Sequence, residues 1–271
     1  MRGTFSKHIP AGGLFDASRL SPPEAARSLT VWKNFISRQL TLLRTQCPIP
    51  FSIDSDCQIV CQIDRRSPTL EFVLLNSMMM LGDKWGLQIV TKPELEPWIM
   101  QHTHTLPGVE ILPVLDSGIQ VNELRRSVDF WKKIKGEFLL LIDAESIICH
   151  KDINRFLEYD YVAPLWRRGD VSPWCRFGGG ISMRRKSAVI KICNECNVNP
   201  VLIPNESIFF SMMFRLQSNV FHLPDDSVAS EFAVERCYYD KPFALHKAWK
   251  FIPHQQLQEI LDGIEAPEQA I

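Results

Sequence analysis

Two carboxylates, Asp143 and Glu145, stand one residue apart at the end of the apolar run FLLLI, residues 138–142. On an extended segment residues i and i+2 point the same way. Both acids could therefore face one site, with Ala144 turned away. Hard divalent cations such as Mg2+ or Mn2+ take oxygen ligands and share one or two carboxylates with a substrate's phosphates. An ion held there could bridge the chain to a diphosphate and stabilise that group as it leaves. A short acidic doublet is equally what a solvated loop looks like, and both readings stand at this point.

Three further groups could take part in such chemistry. Gly178, Gly179 and Gly180 would let the backbone approach a ligand closely, or simply turn the chain before a helix. Arg184 and Arg185 follow them, and arginine suits anionic groups. Glu206, in PNESIFF, falls in the first turn of an expected helix, where an acid favours the macrodipole in any protein. A general base for an acceptor hydroxyl would look the same. His246, in FALHKAW, is either a structural histidine or a metal ligand. Cys193 and Cys196 form a lone C-x-x-C, and zinc would need a second pair of ligands that no plausible spacing supplies.

The positions of these residues depend on the elements that carry them. SPPEAARSLTVWKNFISRQLTLLR has Ser21 as an N-cap, Pro22 in the first turn and Glu24 placed for a capping box. Its apolar stripe runs through Leu29, Trp32, Phe35, Ile36, Leu40 and Leu43. Strands are then expected at 57–63, 86–90, 108–115 and 137–143. Between them fall a helix opened by Ser67 and Pro68 and stopped at Gly82, a short helix capped by Thr91 and Glu94, and a helix over 122–136. Alternating strands and helices imply a parallel sheet with helices on its faces. Ligands bind at the carboxyl ends of such strands, and Asp143 and Glu145 lie at one. Further on, 159–166 reads as a strand, the glycine run leads into a helix, and 205–217 reads as helical.

The 271 residues suit one large domain or two small ones, and 45% apolar residues are ample for a core. A formal net charge of -1 gives no global field to draw nucleic acid or an anionic membrane. No apolar run reaches the ~18–20 residues of a transmembrane helix, which leaves only peripheral membrane contact open. The first twenty residues carry no apolar signal core, and the eight cysteines read as reduced thiols, so a cytoplasmic location is expected.

Taken in order, LEFVLLNSMMMLGDKWGLQIV, FWKKIKGEFLLLIDAESIICH, FLEYDYVAPLW, GGGISMRRKSAV, NESIFF, EFAVE and ALHKAW resemble a family of glycosyltransferase-like proteins. That family is catalogued mainly as a domain of unknown function and is allied to the GT-A nucleotide-sugar transferases. The resemblance spans residues 57–252, with a nucleotide-binding half over 57–150 and an acceptor half over 151–252. It leaves a loose arm at 1–20, a helix and linker at 21–56 and a tail at 253–271. It implies one α/β domain with a GT-A-like, mostly parallel, Rossmann-like sheet, and a metal-dependent transfer of sugar from a nucleotide-sugar donor to a hydroxyl acceptor. The implied roles are Asp143, Glu145 and His246 on Mn2+ or Mg2+, and Glu206 as catalytic base. Asp64 and Arg65 would face the nucleotide, Gly178 to Gly180 would lie by the donor sugar and the acceptor, and Arg184 would serve the donor. In two places the chain departs from the family pattern: Ser207 stands where a second acid is usual, and the metal motif reads Asp-Ala-Glu. Two rivals remain: a haloacid-dehalogenase-like phosphohydrolase using Asp143, Asp225 and Asp226, and a sugar- or nucleotide-binding module without catalysis. A scaffold role is also open: Trp166 and Trp174, if exposed, would suit a partner, and equally a sugar-stacking face or plain core.

Overall fold

The computed structural model describes residues 19–46, 50–52, 54–114, 121–166, 175–196, 203 and 205–264. The arm at 1–18 and Trp174 lie outside them. In chain order the elements are α1 (Pro22–Thr45), β1 (Cys57–Ile63), α2 (Leu70–Leu81), β2 (Gly86–Thr91), α3 (Glu96–Thr103), β3 (Val109–Leu112), α4 (Val121–Leu124), α5 (Val128–Lys133) and β4 (Phe138–Asp143). There follow β5 (Ser146–Ile148), β6 (Tyr161–Val162), β7 (Ser182–Arg185), α6 (Lys186–Glu195), α7 (Glu206–Leu216), α8 (Asp226–Phe232), β8 (Ala233–Val234), β9 (Ala244–His246) and α9 (His254–Asp262).

The main sheet has the order β3-β2-β1-β4-β7-β6. Strands β3, β2, β1 and β4 are parallel, while β7 is antiparallel to β4 and β6 to β7. Period-2 alternation sorts its side chains into two cores. Ile59, Cys61, Leu140 and Ile142 join the core that also buries Trp32 of α1, Phe72 of α2 and Leu257 of α9. Val60, Leu139 and Leu141 face the other core, with Trp131, Val189 and Phe210 of α5, α6 and α7. The sheet is thus covered on both faces, as near-continuous apolar strands require.

A second sheet, β5-β9-β8, sets the geometry of the site. Strand β5 pairs antiparallel with β9, with Ser146 opposite His246. The chain just past β4 is thereby held against the end of β9. Asn76 of α2 fixes the other side of β5: its amide donates to Ile148 O at 3.0 Å and its carbonyl accepts from Ile148 N at 2.8 Å.

The structure corrects several expectations. The helix expected over 122–136 is two pieces, because Ser127 caps α5 by accepting from Asp129 N. Thr91 ends β2 and donates to Ile63 O at 2.8 Å, so it caps nothing, and the turn Pro93–Leu95 leads into α3. An antiparallel strand, β7, intervenes between the glycine run and α6. The expected tail contains α9, which buries Leu257, Ile260 and Leu261 and packs on α1.

The capping box at α1 is also absent: Ser21 makes no side-chain cap bond. Glu24 instead accepts from His254 N at 2.9 Å and His254 Nδ1 at 2.6 Å, tying α1 to α9. The hydrogen bonds from His254, helped by Arg27, lower its carboxyl from 4.5 to about 2. A lowered folded-state pKa contributes stability that is present above about 4.5 and lost as pH falls toward about 2. Denaturant titrations across this window should show Glu24→Gln losing less stability on acidification than the wild type. Equal losses would mean the α1–α9 contact does not depend on this carboxylate.

Candidate functional site

The chain runs outward from β1 to β2 and β3, then returns to place β4 on the other side of β1. The point where the order reverses, between β1 and β4, is where open α/β sheets leave a crevice at their carboxyl ends. A cavity of about 780 Å³ opens there. Asp64, Arg65 and Arg66 after β1, Asp143 at the end of β4 with Glu145 just past it, and Lys247 after β9 line it. Helix α1 forms the opposite wall with Trp32, Lys33 and Ile36. Nothing in the apolar stripe of α1 indicates that it would reach the site. Asp64 and Arg65 therefore share one cleft with Asp143 and Glu145.

Asp143 is the hub. Its Oδ1 accepts from Glu145 N at 2.8 Å and Ser146 Oγ at 3.3 Å, which fixes the turn between β4 and β5. Its Oδ2 accepts from His246 Nε2 at 3.0 Å and Lys247 Nζ at 2.8 Å. Lys247 Nζ also lies 3.2 Å from Glu145 Oε2, so one ammonium bridges both acids. Burial alone would raise the Asp143 pKa, but His246 and Lys247 outweigh it and hold the carboxyl well below the usual range. Burial likewise disfavours the Lys247 ammonium, and Asp143 and Glu145 reverse this, so its pKa is raised. Among the described residues Lys247 alone is a non-glycine with positive φ, at 48°. Such backbone strain persists where the surroundings over-determine it.

His246 is 4% exposed. Its Nδ1 meets two groups with opposite demands. Gly180 N–H, at 3.2 Å, needs a bare lone pair, whereas Glu235 Oε2, at 3.4 Å, needs a proton. Burial opposes the charge, but carboxylates at both ring nitrogens favour the imidazolium and raise its pKa to about 9. In either state Nε2 carries the hydrogen shared with Asp143. The glycine run packs against this group. A Cβ on Gly179, at φ 128°, would strike Glu235, one on Gly180 would strike the His246 ring, and one on Gly178 the Trp166 ring.

These contacts decide how well the acids fit a divalent ion. An ion needs converging ligands with free lone pairs. Asp143 already accepts on both oxygens, the Lys247 ammonium stands between the two carboxylates, and His246 Nε2 carries a proton rather than a lone pair. Among the described residues no group of three or more His, Cys, Asp or Glu is arranged to hold a metal. As arranged, the residues do not fit the ion that the resemblance implies.

Glu206 and Arg184 form a separate, buried centre and not part of the cleft wall. They are 2% and 1% exposed and paired with each other, and Arg125 Nη1 lies 3.7 Å from Glu206. The Arg184 guanidinium also sits 4.7 Å from the Phe210 ring and within 5.6 Å of Trp131. Burial pushes the Glu206 carboxyl up, yet Arg184 and Arg125 hold it below its ordinary value. A sequestered, ionised carboxylate with two arginines is poorly placed to collect a proton from an acceptor in solvent. The arginine expected at the donor is equally enclosed. Ser207 donates to Gly179 O at 3.0 Å, so the residue that replaces the second acid ties α7 to the glycine run.

Other expectations also meet the structure. Trp166 is buried, 5% exposed, with the Arg236 guanidinium 5.1 Å from its ring, and offers no free face to a partner. Asp225 caps α8 by accepting from Val228 N at 2.9 Å, and Asp226 pairs with Arg176. Those engagements leave little for the phosphohydrolase reading. Cys193 and Cys196 are free thiols, and burial pushes Cys193 up to about 12, against the thiolate that zinc requires. Lys247, Arg125, Glu235 and α1 carry no spacing signal that marks them as site residues.

Removing one partner of a buried ion pair leaves the other uncompensated and costs about 3–5 kcal/mol. Glu206→Gln should therefore lower unfolding free energy by an amount in that range, measured by denaturant titration. A loss of under about 0.5 kcal/mol, as at an exposed site, would contradict this placement.

Among solved structures, a mannosyltransferase from Pyrobaculum calidifontis in complex with GDP-Man and Mn2+ is similar at 11% identity and TM-score 0.42, covering 69% of this chain and 62% of that one. The apo glycosyltransferase GlyE of Streptococcus pneumoniae TIGR4 is similar at 12% identity and TM-score 0.46, covering 70% and 54%. Apo mouse xyloside xylosyltransferase 1 is similar at 11% identity and TM-score 0.48, covering 70% and 97%. The chain thus spans less than two thirds of the first two. No curated protein matches it. Residues 112–246, from the end of β3 to His246, match the family described as "Protein of unknown function (DUF5672)".

Proposed function

We propose that the chain binds a nucleotide sugar in the cleft between α1 and the tips of β1 and β4, and transfers the sugar to a hydroxyl acceptor. The observation that carries this reading is the cleft itself: about 780 Å³ at the switch point of the sheet, with Lys33, Arg65, Arg66 and Lys247 around its acids. Its volume falls within the ~300–1,000 Å³ usual for small-ligand sites. Cations in a partly enclosed cleft suit a diphosphate, with arginine able to hold two oxygens at once. Half-buried Trp249 lines the same cleft and supplies an aromatic face for a nucleobase. The resemblance of the sequence to GT-A-like proteins supports the reaction class. The acceptor is a saccharide or another hydroxyl compound, and the net charge of -1 argues against nucleic acid. A cytoplasmic location is part of the proposal and rests on the reduced state read for the cysteines.

In this reading the carboxylates organise the site and leave proton transfer to another group. Asp143 fixes His246 and Lys247, and Glu206 fixes Arg184 and α7. The acceptor oxygen bonds to the donor's anomeric carbon as the bond from that carbon to the diphosphate oxygen breaks; the nucleoside diphosphate departs toward the cationic wall, and the acceptor's proton passes to its departing phosphate. Because Glu206 is enclosed, a second reading has support from that same observation: a module that binds the nucleotide sugar without turning it over.

Thermal melts with UDP- and GDP-sugars test the first step. A specific donor at a hundred times its dissociation constant stabilises the folded state by about 2.7 kcal/mol. The shift should shrink when Arg65 and Arg66 are both changed to alanine. No shift with any donor would contradict the proposal. Release of free sugar or transfer to an acceptor, followed chromatographically, separates catalysis from binding alone.

A further inference from the structure

In the cleft the position between the two acids is filled by the chain itself. Lys247 Nζ lies 2.8 Å from Asp143 Oδ2 and 3.2 Å from Glu145 Oε2. Three features hold it there. The register that sets Ser146 opposite His246 brings the end of β9 onto the turn after β4. Lys247 N–H donates to Glu145 O at 3.2 Å, so the backbones of the two residues are joined. The left-handed backbone at Lys247, φ 48°, is a conformation that an L side chain rarely adopts. The lysine side chain keeps 23% exposure and lines the same cleft as Arg65 and Arg66.

We propose that Lys247 is a built-in cation for the donor diphosphate, taking the place between Asp143 and Glu145 that a divalent ion would occupy, so that the nucleotide binds without a metal. This deepens the nucleotide-sugar reading and rests on it. An ammonium with three donors can satisfy two carboxylates and still offer a hydrogen to a phosphate oxygen. A divalent ion entering the same space would meet that ammonium at close range, and it would also have to displace His246 from Asp143. The lysine is a binding and positioning group, and no bond is made to it.

The test uses the full chain and two probes. Mn2+ uptake is followed by loss of the free-ion electron paramagnetic resonance signal. Binding of UDP and GDP is measured by calorimetry in EDTA and again in Mn2+. The wild type should take up no Mn2+ and bind its preferred nucleoside diphosphate equally in both buffers. In EDTA, Lys247→Ala should weaken that binding by at least about tenfold, the worth of one charge-assisted hydrogen bond. The same variant should take up Mn2+ and recover binding with it. Lys247→Gly, which suits the left-handed backbone, should behave likewise and guards against misfolding. Lys247→Arg should keep metal-free binding. Stoichiometric Mn2+ uptake by the wild type, or nucleotide binding abolished by EDTA, overturns the inference. If neither nucleotide binds under any condition, the nucleotide-sugar reading falls. The Mn2+ titrations then still decide the claim for the lysine: uptake by the variants alone supports it, and uptake by all or by none overturns it.

Discussion

The site depends on one carboxylate. Asp143 ends β4, and its two oxygens accept from four groups on three segments: the turn at Glu145, the start of β5, and both His246 and Lys247 at the end of β9. A buried acid is costly unless paired and hydrogen-bonded. Here the pairing also determines the architecture. It fastens the small sheet to the carboxyl edge of the large one and turns two cations toward the acids. The same arrangement uses up the lone pairs that a metal would require.

A second charged centre lies deeper, and the glycine run joins the two. Arg184 and Glu206 pair inside an aromatic cage beneath β7 and α7, where their net worth to stability is small but the loss of either partner is not. Ser207 ties α7 to Gly179 O, and the next residue, Gly180, lies against His246. Only residues without a Cβ fit between Glu235 and the His246 ring at this point. Three glycines that read in sequence as a loop near a ligand are thus also the spacer between an inner salt bridge and an outer one.

Much of the frame was legible because it follows from periodicity. The run at 57–63 is a strand with those bounds, the strand expected over 137–143 starts one residue later, at Phe138, and Gly82 follows the end of α2. The placing of Asp143 and Glu145 at a strand's carboxyl end followed from the same pattern. What was not legible depends on contacts far apart in the chain. Glu24 looked like a capping acid, but its partner, His254, is 230 residues away. Glu206 looked like any helix-start acid, and nothing local announces that Arg184 and Arg125 enclose it. Lys247 is adjacent to a residue singled out in the sequence, yet only the β5–β9 register reveals that its ammonium reaches both acids. Local pattern located the residues, whereas tertiary pairing set their roles.

The central claim is that a donor diphosphate meets a lysine rather than a metal at the tips of β1 and β4. Its most direct test is a crystal grown with the nucleoside diphosphate and excess Mn2+, with data collected at the manganese absorption edge. The account predicts a phosphate oxygen within hydrogen-bonding distance of Lys247 Nζ and no anomalous peak between Asp143 and Glu145. A manganese peak bound by both carboxylates, with Lys247 turned away, would contradict it.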